Sequence, residues 1–290
     1  MRRCLTFVAL LGVTGLSLSL SQAQNSHPDP ALRATLESSY HAWRESVVTQ
    51  NHQQWEASTA YSRQIEIRNR IVSQKLPFPE AFFADPLKPP SLDGMIALGV
   101  LSTGQTATST YYGKANFGAE PGTTISDNLM VLHFLLEEGA WKFDRLRLVK
   151  TGNDAELLLQ IRNSDFSFLN GIEFQPAQQL PPLPQPVNTP DLLAEIWVDS
   201  TGYEITVTVN GIPNGTFSNI KTAELLIGGL RNGENRIQLQ IKPLEAIVEG
   251  SPRVEVAIYA ASGAEEQADR VFHYQPEIPE ASVDSVFVPR

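Results

Sequence analysis

Cysteine is all but missing from this chain: Cys4 is the only one, and it lies in the extreme N-terminal segment. For the rest of the sequence this excludes a disulfide framework, a thiolate metal site and a cysteine nucleophile. Positive charge is scarce as well. The chain has 22 Lys and Arg against 32 Asp and Glu, a net charge of −10 at pH 7, with no basic run or basic–aromatic stripe to offset it. Such a surface repels a phosphate backbone, so no nucleic-acid partner is expected. Phosphate-loop, dinucleotide and Gly-Xaa-Ser-Xaa-Gly signatures are missing too. His41 and His52 lack the spacing of a zinc helix, and no metal or cofactor is expected.

What is present begins with a leader. Arg2 and Arg3 precede the apolar stretch Leu5 to Leu20, which is too short and too interrupted by Ser, Thr and Gly for a comfortable membrane span. Ser21-Gln22-Ala23 supplies small residues at a cleavage site. Residues 1–23 therefore read as a signal peptide cut after Ala23, and the protein as exported: periplasmic, cell-surface or secreted. The alternative is a retained N-terminal anchor. No second apolar stretch of spanning length follows, so no membrane helix is expected after cleavage.

The second landmark is Phe174 to Pro190, "FQPAQQLPPLPQPVNTP", in which six of seventeen residues are proline and none is charged. Proline fixes φ and removes a donor, which predicts an extended, semi-rigid segment. It reads as the joint between two domains. The resulting division is 24–165, a linker over 166–190, a second domain over 191–276 and a tail over 277–290. A proline-rich ligand for a reader domain is the other reading of the segment.

Before the joint, Asp29-Pro30 has the form of a helix start, and Leu32, Leu36, Tyr40, Trp43 and Val47 recur at helical spacing. A second helix is predicted from about Gln53 to Gln74, broken by "LPFPEAFF". From Gly94 the period becomes two. Met95–Leu101, Thr106–Phe117, Leu129–Leu136 and Trp141–Val149 read as antiparallel strands, and Asn153 with Glu156 as a capping box for a last helix. The expectation is an α+β domain. After the joint, alternation such as Ile205, Val207 and Val209 against Glu204, Thr206 and Thr208 predicts short strands, and with Asn-Gly turns between them, an all-β sandwich.

The order helix, helix, broken segment, then strands closing on Gly139-Ala140-Trp141-Lys142 resembles the nuclear-transport-factor-2-like family, which includes ketosteroid isomerases and small polyketide cyclases. The likeness spans roughly Asp29 to Lys150. It implies an α+β cone-like domain, with helices packed on a curved antiparallel sheet over a pocket. Tyr40, Trp43, Tyr111 and His133 would be its ligand-binding residues. His133 is expected on the face shared with Leu129, Val131 and Leu135, beneath the stripe of Leu36, Tyr40 and Trp43. Asp127, Asp144 and Tyr112 complete the strand-borne polar candidates, but no motif aligns them with the family's acid and base positions, so no catalytic role is transferred. "VTVNG" and "GLRNGENRIQLQI" resemble immunoglobulin-like and jelly-roll modules of secreted carbohydrate-active proteins. Trp197 and Tyr259 are the candidates there for stacking on sugar rings. Asn214-Gly215-Thr216 is a formal glycosylation sequon.

Together these features point to an exported, non-enzymatic binding or scaffolding protein of a bacterial envelope. It would hold a small hydrophobic ligand in the first domain and dock an envelope protein or a glycan through the second. A homodimer is compatible with this. Two other classes stay open: an isomerase or hydrolase acting on a small hydrophobic molecule, and a purely structural assembly subunit.

Overall fold

The computed structural model describes residues 29–85, 88–120, 122–152, 154–245 and 251–289. The expected signal peptide, residues 1–23, and Asn153 of the expected capping box lie outside these. Among the described residues, no helix is long and apolar enough to cross a membrane.

The helices gather near the N-terminus. The Asp29 carboxylate accepts from the amides of Ala31 and Leu32 and starts α1 (Pro30–Val48), with Pro30 at the first helical position. The single long helix expected next is divided into α2 (His52–Ser58) and α3 (Tyr61–Ser73). The break falls at Thr59-Ala60, where the chain makes a parallel bridge to Phe143 and the Ala60 amide donates to its carbonyl at 2.8 Å. Backbone that would have closed a helix instead covers a sheet edge. α3 has no cap of its own; both oxygens of Glu137 accept from the Tyr61 amide at 3.1 Å. A short α4 (Glu80–Phe83) completes the group.

Strands β1 (Ile96–Ser102), β2 (Thr106–Lys114), β3 (Asp127–Glu137) and β4 (Ala140–Lys150) then form one antiparallel sheet in sequence order. Eight more follow the helix α5 (Ala155–Arg162): β5 (Leu193–Asp199), β6 (Tyr203–Val209), β7 (Ile212–Ser218), β8 (Lys221–Leu225), β9 (Asn235–Pro243), β10 (Glu255–Ala261), β11 (Asp269–Tyr274) and β12 (Ser282–Phe287). They make two further antiparallel sheets, ordered β11-β10-β5-β8 and β12-β9-β6-β7. Ile196, Val198 and Ile258 of one and Ile205, Val207 and Leu239 of the other meet in a common core. The stretch after Pro276, expected to be a tail, contributes β12. Val283 and Phe287 pack against that core, and Asp284 pairs with Arg236 of β9.

The expected fold, an α+β cone-like domain followed by an all-β sandwich, is therefore corrected. The described chain is mostly β, in three four-stranded antiparallel sheets, with helices confined largely to its N-terminal part. The physical reason lies in β3, which is apolar at both parities. Met130, Leu132 and Phe134 pack under α1, while Leu129 and Val131 pack against Ile161, Leu169 and Phe174. Both faces of β3 are filled by large side chains.

The proline-rich segment is held at both ends. Thr108 Oγ1 donates to the Phe174 carbonyl at 2.7 Å, and Thr106 Oγ1 to that of Ala177. At the far end the buried Asn69 of α3 donates to the Gln185 carbonyl at 2.8 Å and accepts from the Val187 amide at 3.0 Å. Arg68 adds a bond to the Val187 carbonyl, and Ser73 Oγ accepts from the Gly228 amide, both at 2.8 Å. Gln50 and Lys75 sit just past α1 and α3 at φ 55° and 60°, where glycine is the usual residue. Each makes a bond that glycine could not. Gln50 reaches the Phe83 carbonyl at 3.0 Å, and Lys75 reaches those of Asp191 and Ser262 at 2.8 and 2.9 Å.

Candidate functional site

The residues expected to line a first-domain pocket fall into two places. Tyr40 of α1 and Tyr111 of β2 are buried in the same core; the Tyr40 hydroxyl donates to the Pro90 carbonyl at 2.7 Å, and that of Tyr111 to Glu37 at 3.1 Å. Burial pushes both phenols well above their ordinary value. Trp43 is half-buried, its ring centroid 4.0 Å from that of Phe143. These three pack into one hydrophobic core.

His133 does not join them. It is half-buried on the opposite face, paired across strands with Thr108 and Arg145, not beneath Leu36, Tyr40 and Trp43 as expected. Both parities of β3 being apolar, the sequence does not reveal which one α1 covers; it covers the other. A register shift beside His133 leaves Asp144 as the extra residue on β4. Asp144 is buried, with Oδ2 2.7 Å from Arg145 Nε and Oδ1 without a hydrogen-bond partner. Asp127 is exposed at the start of β3, and Tyr112 is half-buried on the His133 face.

Burial holds the His133 imidazole below its ordinary 6.5; the Asp144 carboxylate opposes this, while Arg145 and Arg147 add to it. The folded protein thus favours the neutral ring. That stabilisation is complete above pH 6.5 and is lost as pH falls below it towards the folded-state value. The stability advantage of the wild type over His133→Gln should accordingly shrink as pH falls below 6.5. Urea unfolding of the pair across that range checks this; a gap that widens on acidification contradicts it.

Trp197 and Tyr259 do share a face, the outer side of the β10–β5 pair, where Trp197 opposes Ala257 and Tyr259 opposes Glu195. Trp197 is half-buried, and the Lys221 ammonium lies 5.3 Å from its ring centroid. Lys221 therefore already occupies ring surface on which a sugar would stack. Tyr259 is 37% exposed. Asn214 of the sequon is engaged structurally: its Oδ1 accepts from the Ile227 amide at 2.6 Å, and its Nδ2 donates to the Ile212 carbonyl at 3.0 Å. Among the described residues no group of three or more His, Cys, Asp or Glu comes together in a way that could hold a metal.

An open, aromatic-lined surface depression was not foreseen from sequence. A cleft of about 360 Å³ is lined by Gln50, His52, Pro79, Glu80, Phe83 and Ala84. Behind its wall, the His52 ring stacks on Trp55 with centroids 5.8 Å apart, and Phe78 and Phe83 meet His52 edge-on. Phe78, Phe82 and Phe83 are all half-buried. Two buried ring nitrogens, His52 Nε2 and Trp55 Nε1, make no hydrogen bond; Glu56 Oε1 stands 3.6 Å from the first, and Trp55 is 1% exposed. The signal was present in "NHQQW" and "LPFPEAFF", but the prolines made the second stretch read only as a helix breaker. Compared with protein-family models, with curated proteins and with solved structures, the chain matches none of them.

Proposed function

We infer that this is an exported, non-enzymatic binding or scaffolding protein, whose binding surface is the aromatic cleft between α2 and α4. The observation that carries the reading is the cluster of aromatic rings at this surface, with His52 and Phe83 lining it and Trp55, Phe78 and Phe82 packed behind them. A ligand with an apolar body would cover Phe83 and Pro79. The volume lies near the lower end of small-molecule pockets, which suits a short peptide stretch or a small apolar compound. Export follows from the leader pattern of residues 1–23.

An anilinonaphthalene sulfonate titration tests the site. The wild type is expected to enhance the dye's fluorescence, and Phe83→Ser to weaken the binding about tenfold, a loss of about 1.4 kcal/mol. Equal binding by both proteins would place the ligand elsewhere.

A further inference from the structure

We propose that Asn232 is a site of spontaneous deamidation, singled out by the fold from the four Asn-Gly pairs of this chain. In that reaction the amide nitrogen of the residue after asparagine loses its proton to hydroxide and attacks the side-chain Cγ. The new N–Cγ bond closes a cyclic imide, and the side-chain nitrogen leaves as ammonia, taking a proton from water. A further water then opens the ring at either carbonyl, which gives aspartate or isoaspartate. Hydroxide and water are the only co-reactants. Glycine favours the attack because it has no Cβ beside the nitrogen and its backbone bends freely. A folded chain blocks it in two ways: by hydrogen-bonding the carboxamide, or by engaging the attacking amide.

Three of the pairs are blocked. Asn210 is held at both ends, with Nδ2 donating to Asn235 Oδ1 at 2.8 Å and Oδ1 accepting from the Arg236 amide at 3.0 Å. Asn214 Oδ1 accepts from the Ile227 amide at 2.6 Å, and its Nδ2 donates to the Ile212 carbonyl at 3.0 Å. Asn170 is exposed, but there the attacking group is engaged. The Gly171 amide donates to the Phe168 carbonyl at 2.9 Å, and Glu173 Oε2 stands 2.8 Å from where a Cβ on Gly171 would lie.

Asn232-Gly233 has neither block. Both residues are exposed, in the bend that leads into β9. Among the described residues, neither the Asn232 carboxamide nor the Gly233 amide makes a hydrogen bond. A Cβ on Gly233 would meet nothing within 4 Å, so the approach to its nitrogen is open. The bonds that order this bend use other atoms. The Asn232 amide donates to Asp191 Oδ2 at 3.0 Å, and Asn235 Nδ2 donates to the Arg231 and Gly233 carbonyls at 2.9 and 3.0 Å. The product therefore places a new carboxylate next to Glu234, in a bend already bonded to Asp191.

The experiment incubates the full chain in mildly alkaline buffer, folded and in parallel in urea. Peptide mapping by mass spectrometry follows all four sites, with isoaspartate separated by chromatography. In the folded protein Asn232 is expected to convert about tenfold or more faster than Asn210 and Asn214, which must first break two hydrogen bonds each. Asn170 should also lag, and in urea the four rates should converge. Gly233→Ala puts a methyl group beside the attacking nitrogen in open space, so it should slow conversion at Asn232 and leave the melting point unchanged.

An Asn232 that persists in the folded protein while reacting in urea would overturn the proposal. Folded protein in which Asn210 or Asn214 converts as fast as Asn232 would overturn the selection by the fold. Undiminished conversion in Gly233→Ala would show that the Gly233 amide is not the attacking group, and would overturn it as well.

Discussion

Replacing Asn69 by alanine is expected to destabilise the protein by about 2–4 kcal/mol and to free the proline-rich segment from α3. Asn69 is 3% exposed, and its amide serves the Gln185 carbonyl and the Val187 amide together, as a neighbouring strand would. Truncation leaves both backbone groups facing a site with no partner, and each unsatisfied group costs about 1–3 kcal/mol. The Ser73 hydroxyl donates to the Asn69 carbonyl and accepts from the Gly228 amide, so the same stretch of α3 also ties to the second half. Chemical denaturation should show the loss of stability, and limited proteolysis should show new cleavage between 177 and 187. A variant as stable and as resistant as the wild type would mean that the amide does not hold the segment.

Gly229→Ala should be at least as damaging, by more than about 3 kcal/mol. Gly229 adopts φ +51°, and an added Cβ would lie 2.5 Å from both the Leu192 carbonyl oxygen and Pro190 Cβ. The left-handed backbone alone costs a non-glycine residue about 1 kcal/mol. The overlap with backbone cannot be relieved by a rotamer change, so the loop must move away from the end of the proline segment. Gly233→Ala is the control, since its Cβ would meet nothing within 4 Å. Thermal melts of the two variants should separate clearly, and equal melting points would contradict the packing at Pro190.

Much of the local structure was legible in the sequence, and the assembly was not. Ile205, Val207 and Val209 are buried while Glu204, Thr206 and Thr208 are not, as their alternation implies. Asp29-Pro30 starts a helix because capping is a local event. The placement of α1 was hidden because β3 is apolar at both parities, and a helix can cover either face of such a strand. β12 was hidden because Pro276 and Pro279 made its neighbourhood read as a tail; its valines gain meaning only beside β9. The aromatic cleft was missed because its walls come from α2 and from a proline-broken stretch, and nothing in sequence spacing joins them. The proline-rich segment showed its extended conformation in its composition. Its anchoring depends on Asn69, a residue more than a hundred positions away.

The central claim is that this segment is an ordered ridge, and not a free joint between two halves. Hydrogen exchange at the Val187 amide tests it most directly, because that amide donates to the Asn69 side chain at 3.0 Å and to no strand ladder. Exchange slowed by orders of magnitude relative to an unstructured peptide is expected, with the protection lost in Asn69→Ala. Exchange at the free-peptide rate in the wild type would contradict it.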